Sequence, residues 1–140
     1  TAYEISTRDW SSDVCSSDLG CKTNKSLMTN AEQLKSVCLE LVNLSGLTPV
    51  DELFYQFQPA ENEIVGGVTG TVLLAESHLA IHTWPELSAV TLDVYVCNFS
   101  TDNRSKAQNL LEGIIRLFQP KSALRQQIMR GGLGVVEKAA

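Results

Sequence analysis

The chain has 140 residues, 44% of them apolar and 19% charged, which fits one globular domain built around one core. A net charge of −5, with no lysine- or arginine-rich stripe to neutralise phosphates, excludes a nucleic-acid binder. No apolar run approaches the ~20 residues of a membrane span and no secretory leader opens the chain, so neither a membrane nor an export route is expected. The four cysteines (Cys15, Cys21, Cys38, Cys97) have no CxxC spacing, so no metal site and no disulfide framework is expected, and a reducing cytoplasm is the default.

In chain order, Asp9 to Leu19 is rich in Ser and Asp, short of core-forming residues, and fits no helix or strand period. It resembles the conceptual translation of a sequencing-library adapter. Residues 1–19 are therefore set aside as foreign, leaving 20–140 as the single domain. Thr29-Asn30-Ala31-Glu32 has the form of a capping box. Leu34, Val37, Cys38 and Leu41 then mark one apolar helix face, with Gly46 placed to end it and Pro49 beyond. Strands are predicted over Asp51–Phe57, Val68–Glu76, His78–Trp84 and Val90–Cys97, with a loop at Ala60–Gly67 and a turn at Pro85–Ala89. A second helix begins near Thr101-Asp102-Asn103 and buries Ala107, Leu110, Leu111, Ile114, Ile115 and Phe118, with Pro120 after its end. Leu124–Met129 is read as a short helix, and Gly131-Gly132 as the start of a loose tail. Strands clustered between two amphipathic helices predict an α+β sandwich, an antiparallel sheet with both helices packed on one face.

The chemistry concentrates in Ala75–Glu86, which holds both histidines, one of the two tryptophans, and Ser77 directly after Glu76. A five-residue loop over Pro85–Ala89 would pair Trp84 with Val90 and set Cys97 opposite Ser77, with Cβ atoms roughly 4.5–5.5 Å apart. His82 lies five residues along the strand from Ser77, about 16 Å, and joins the same site only if the chain bends between them. Three chemistries fit a Ser, a Cys and a His. A Cys–His hydrolase would use Cys97 as nucleophile and His82 as base. A serine hydrolase calls for a G-x-S-x-G elbow, which Glu76-Ser77-His78 is not. In the third, Ser77 attacks its own preceding carbonyl, and the ester so formed eliminates to leave a pyruvoyl group, an electron sink for decarboxylation.

Gly67-Val68-Thr69-Gly70, Ala75-Glu76-Ser77-His78-Leu79, Ile81-His82-Thr83-Trp84-Pro85-Glu86 and Asp93-Val94-Tyr95-Val96-Cys97 together resemble the prokaryotic S-adenosylmethionine decarboxylase proenzymes. The likeness covers most of residues 20–120. It implies cleavage between Glu76 and Ser77 into 20–76 and 77–140, with the pyruvoyl cofactor made from Ser77. It also implies that His82 assists processing, that Thr69 steadies the Glu76 carbonyl as its oxyanion forms, and that Cys97 protonates the substrate carbon, as an ordinary thiol can at neutral pH. Trp84 and Glu86 are implied at the site wall and the ribose, and Phe57 against the adenine. His78 receives no role.

The resemblance further implies a Schiff base to S-adenosylmethionine, decarboxylated S-adenosylmethionine as a product for spermidine synthesis, and a cytoplasmic homodimer of processed protomers with its site near the interface. Two departures stand out. The family's first strand belongs just before Gly20-Cys21, where the adapter-like segment sits, and the Ala60–Gly66 loop is longer than in the smallest members. Two other readings stay open: a pyruvoyl-dependent arginine or ornithine decarboxylase of the same fold, and an unprocessed, non-catalytic dimerisation module.

Overall fold

Apolar alternation builds the centre of the molecule. The computed structural model describes residues 7–14, 25–97 and 101–130. Strands β2 (Pro49–Gln56), β3 (Val68–Leu74), β4 (Ser77–Trp84) and β5 (Ala89–Cys97) pair antiparallel in succession. Every second residue of β3, β4 and β5 faces the core, including Val68, Val72, Leu79, Ile81, Val90, Leu92 and Val94. Onto that face pack a short helix α1 (Lys25–Thr29), helix α2 (Ala31–Leu44) and helix α3 (Arg104–Phe118). All six residues predicted as the stripe of α3 are buried. The expected α+β architecture, an antiparallel sheet with helices on one face, is the one found.

Each helix end has a physical cause. The N-cap of α2 is Asn30, whose side chain accepts from the Gln33 N–H at 3.0 Å. Thr29, expected to cap that helix, instead closes α1, its hydroxyl donating back to the Lys25 carbonyl at 3.0 Å. At the other end Gly46 takes φ +82° as expected. The N–H groups of Gly46 and Leu47 then reach the carbonyls of Asn43 and Val42, the pairing that a left-handed glycine allows.

Two expectations are corrected at the far side of the sheet. Thr7–Val14 forms a strand, β1, although its sequence has no strand period, and Leu124–Met129 lies not in a helix but in strand β6 (Ala123–Arg130). The strand order is β2-β3-β4-β5-β1-β6, and β1 is paired antiparallel with β5 on one side and β6 on the other. Backbone groups on both flanks hold β1, and pairing of that kind needs no side-chain alternation. β6 in turn is a strand because β1 offers it an edge, a long-range partner that local propensity does not reveal. Gly20, Cys15, Cys21 and the predicted tail from Gly131 lie outside the described residues.

The sheet face away from the helices carries Leu53, Tyr55, Phe57, Leu73 and Trp84, all 44–70% exposed. An apolar surface of this kind marks a binding face more often than a bare one.

Candidate active site

Strand β4 carries Ser77, His82 and Trp84 of the candidate residues, and its two ends differ. At its start, Leu74 of β3 pairs with Ser77 across a two-residue turn, Ala75-Glu76, so the Glu76–Ser77 peptide sits at the tip of a tight hairpin. Ala75 is tied down through its N–H to the Thr48 carbonyl at 3.2 Å. The Ser77 hydroxyl oxygen accepts the Cys97 backbone N–H at 3.1 Å. Cys97 is a free cysteine, 5% exposed, at the end of β5. Its carbonyl accepts from the buried Asn103 side chain at 2.8 Å. Glu76, Ser77, Asn103 and Lys106 line a cavity of about 180 Å³.

The register differs from the one predicted. Trp84 pairs with Ala89 and Thr83 with Val90, one residue short of the expected offset. Pro85–Leu87 winds into one turn of 3-10 helix, and Ser88, at φ +48°, donates its N–H to the Pro85 carbonyl. The connection therefore closes in four residues, and Ala89 stays in the strand. Ser77 and Cys97 remain neighbours, but the contact runs through the Cys97 backbone rather than through facing side chains.

Five residues along, His82 Nδ1 and Thr69 Oγ1, directly paired across β3 and β4, share a hydrogen bond. Thr69, His82, Trp84, Glu86 and Phe57 line a second cavity of about 370 Å³ on the open face. Trp84 is 44% and Phe57 49% exposed, and the Phe57 ring meets Tyr55 edge-on at 5.0 Å. β4 runs unbroken from Ser77 to Trp84, so within one chain His82 stays about 16 Å from Ser77. The predicted residues thus fall into two half-sites, Glu76, Ser77 and Cys97 at one end and Phe57, Thr69, His82, Trp84 and Glu86 at the other.

Buried and half-buried polar groups, not singled out in the sequence, hold the second half-site in shape. The Gln56 side chain accepts the Ala31 N–H at 3.0 Å and donates to the carbonyls of Gly66 and Gly67 at 2.9 and 3.2 Å. The Thr83 hydroxyl donates to the Met28 carbonyl at 2.6 Å and accepts the Val68 N–H at 2.8 Å, joining α1, β3 and β4. Gly66 and Gly67 are required by contact, since a Cβ there would stand 2.1 Å from the Phe57 carbonyl oxygen and 2.2 Å from that of Thr83. Asn103 and Gln56 each bond main-chain groups outside their own element, and only their place, before a helix or between aromatics, marks them in the sequence. Cys38 is a core residue whose thiol burial pushes up to about 12. Among the described residues no cluster of His, Cys, Asp and Glu could hold a metal ion, and no helix is long and apolar enough to cross a membrane.

Residues 17–131 match the family model described as S-adenosylmethionine decarboxylase. The S-adenosylmethionine decarboxylase proenzyme of Picrophilus torridus is 35% identical over 75% of this chain and 73% of its own length. That of Aquifex aeolicus is 40% identical over 71% of this chain and 67% of its own. The crystal structure of the adenosylmethionine decarboxylase from Aquifex aeolicus superposes with a TM-score of 0.74 at 30% identity, covering 99% of this chain and 98% of that one. β1 precedes the matched residues.

Proposed function

We infer, from the premise that this chain belongs to the S-adenosylmethionine decarboxylase family, that it cuts itself between Glu76 and Ser77 and then decarboxylates S-adenosylmethionine. The observation that carries the reading is the hairpin tip, where a serine follows an exposed glutamate and its Oγ is held by the Cys97 N–H at 3.1 Å. Ser77 Oγ attacks the Glu76 carbonyl carbon. The C–N bond breaks as the hydroxyl proton passes to nitrogen, leaving an ester and an amine. Removal of the Ser77 α-proton then breaks the Cβ–Oγ bond, and Glu76 departs as a carboxylate that keeps the oxygen. The dehydroalanine left behind tautomerises, and water replaces its nitrogen, which leaves as ammonia.

The residues at this end of β4 fit a pyruvoyl group: the turn exposes the bond to be cut, and a buried thiol ends the neighbouring strand. Such a group supplies a ketone that takes up the substrate amine and accepts the electron pair left when carbon dioxide departs. Cys97 is the proton donor to the substrate carbon. Phe57 and Trp84 provide flat apolar walls for the adenine, and Glu86 an acceptor for the ribose hydroxyls.

The α-proton must still be taken, and the oxyanion held, by Thr69 and His82, which one chain keeps at the wrong end of β4. A homodimer supplies them. Two copies packed about a two-fold axis, each β4 running opposite to the other, would bring the Thr69–His82 pair of each toward the exposed hairpin tip of the other. The exposed Leu53, Tyr55, Leu73 and Trp84 give that packing its apolar area. Cysteine usage favours the cytoplasm as its compartment. Release of labelled carbon dioxide from S-adenosylmethionine, arginine and ornithine, measured side by side, tests the substrate. Release from the nucleoside alone is expected, and release from either basic amino acid alone would overturn the assignment.

A further inference from the structure

His78, the residue directly after the scissile serine, is held on the open sheet face by two residues of β5. Its Nε2 lies 3.6 Å from Asp93 Oδ2, within ion-pair distance. Its ring stacks on the Tyr95 ring, with centroids 5.1 Å apart and planes 15° from parallel. His78 and Tyr95 are also direct partners in the β4–β5 ladder.

Cleavage changes what this grip is for. Before it, β4 is fed by the Ala75-Glu76 turn, and Ser77 is fixed by the Leu74 pairing and by the Cys97 N–H on its Oγ. Afterwards the covalent feed is gone. The oxygen that the Cys97 N–H held has also left, as part of the Glu76 carboxylate. The first residue of the new chain thereby loses both its tether and its side-chain hydrogen bond. Strand ends left untied fray.

We propose, on the reading of self-cleavage given above, that His78 is a positioning residue, a clasp through which Asp93 and Tyr95 keep the newly made terminus of β4 on β5. Asp93 and Tyr95 lie four and two residues before Cys97 on the same strand, so the clasp references the terminus to the strand that ends in the proton donor. A loose terminus would leave substrate binding at Phe57, Trp84 and Glu86 intact while misplacing the reacting carbon from Cys97.

The test is hydrogen exchange over residues 78–80 in cut protein and in the uncut Ser77→Ala background, each with and without His78→Ala. In cut protein, His78→Ala is expected to speed exchange by roughly tenfold, against less than about twofold in the uncut chain. kcat should fall by about ten- to hundredfold with KM unchanged. Equal exchange effects in cut and uncut chains, or a cut variant with ordinary kcat, would overturn the clasp. Should His78→Ala fail to cut, Asp93→Asn takes the same comparison with the histidine and its stack in place, and is judged by the same two results. A wild-type chain that stays whole sinks the self-cleavage reading itself, and the mass spectrum shows this before any exchange is measured.

Discussion

The backbone N–H of Cys97 donates to the Ser77 hydroxyl oxygen at 3.1 Å, so the nucleophile proposed for self-cleavage is held by the main chain of the residue proposed to protonate substrate. On this proposal one residue would serve two steps through two different groups, and a side-chain substitution would separate them.

Cys97→Ala keeps the main-chain donor and loses the thiol. Cleavage should proceed within a few-fold of the normal rate, while carbon dioxide release falls by roughly 10²–10⁴-fold. Mass spectrometry and the labelled-substrate assay read the two steps independently. A fully active Cys97→Ala would remove the proton donor.

The separation of Ser77 from His82 along one straight strand makes a mixed-dimer experiment decisive. His82→Ala and Ser77→Ala should each remain uncut alone. Co-expressed in equal amounts they form mixed dimers in about half of the pairs, and there one site is whole. Cut His82→Ala chain should therefore appear only in the mixture. Its absence there would return His82 to its own chain's site, against the geometry of β4.

How much of this was legible beforehand depends on the range of each interaction. The alternation of Val90–Cys97, the stripe of α3 and the reach from Ser77 to His82 are short-range patterns, and the structure follows them. The β4–β5 register slipped by one because Ser88 takes a left-handed conformation that its residue type does not announce. β1 and β6 carry no local strand signal because each pairs with the other across more than a hundred residues of chain. Gln56 and Asn103 give no sequence signal because their partners are main-chain carbonyls, which carry no residue identity.

Gly67→Ala should destabilise the fold and distort the larger cavity. A Cβ there would stand 2.2 Å from the Thr83 carbonyl oxygen, and backbone rather than a flexible side chain must move. A loss of about 2–4 kcal/mol is expected from chemical denaturation midpoints, larger than for an exposed substitution. An unchanged midpoint would show that the β3–β4 entry can shift freely.

Burial raises the Cys38 thiol from 9.0 to about 12, so the folded chain keeps a proton that the unfolded chain gives up first. Below the lower value both states hold it and the contribution is complete. Between the two values native stability should fall by ~1.4 kcal/mol per pH unit on account of this group. Cys38→Ala should be less stable at neutral pH, by about 1–2 kcal/mol for the lost packing, yet decline less steeply in alkali. Urea midpoints at pH 8, 9 and 10 compare the two, and parallel declines would count against a protonated core thiol.

The most direct measurement of the central claim is the intact mass of purified protein. Two fragments are expected, ending at Glu76 and beginning at residue 77, the second without a free α-amine and reactive toward hydrazine, while Ser77→Ala gives one uncut mass. A wild-type chain that stays whole after long incubation, with no reactive ketone, would contradict the account.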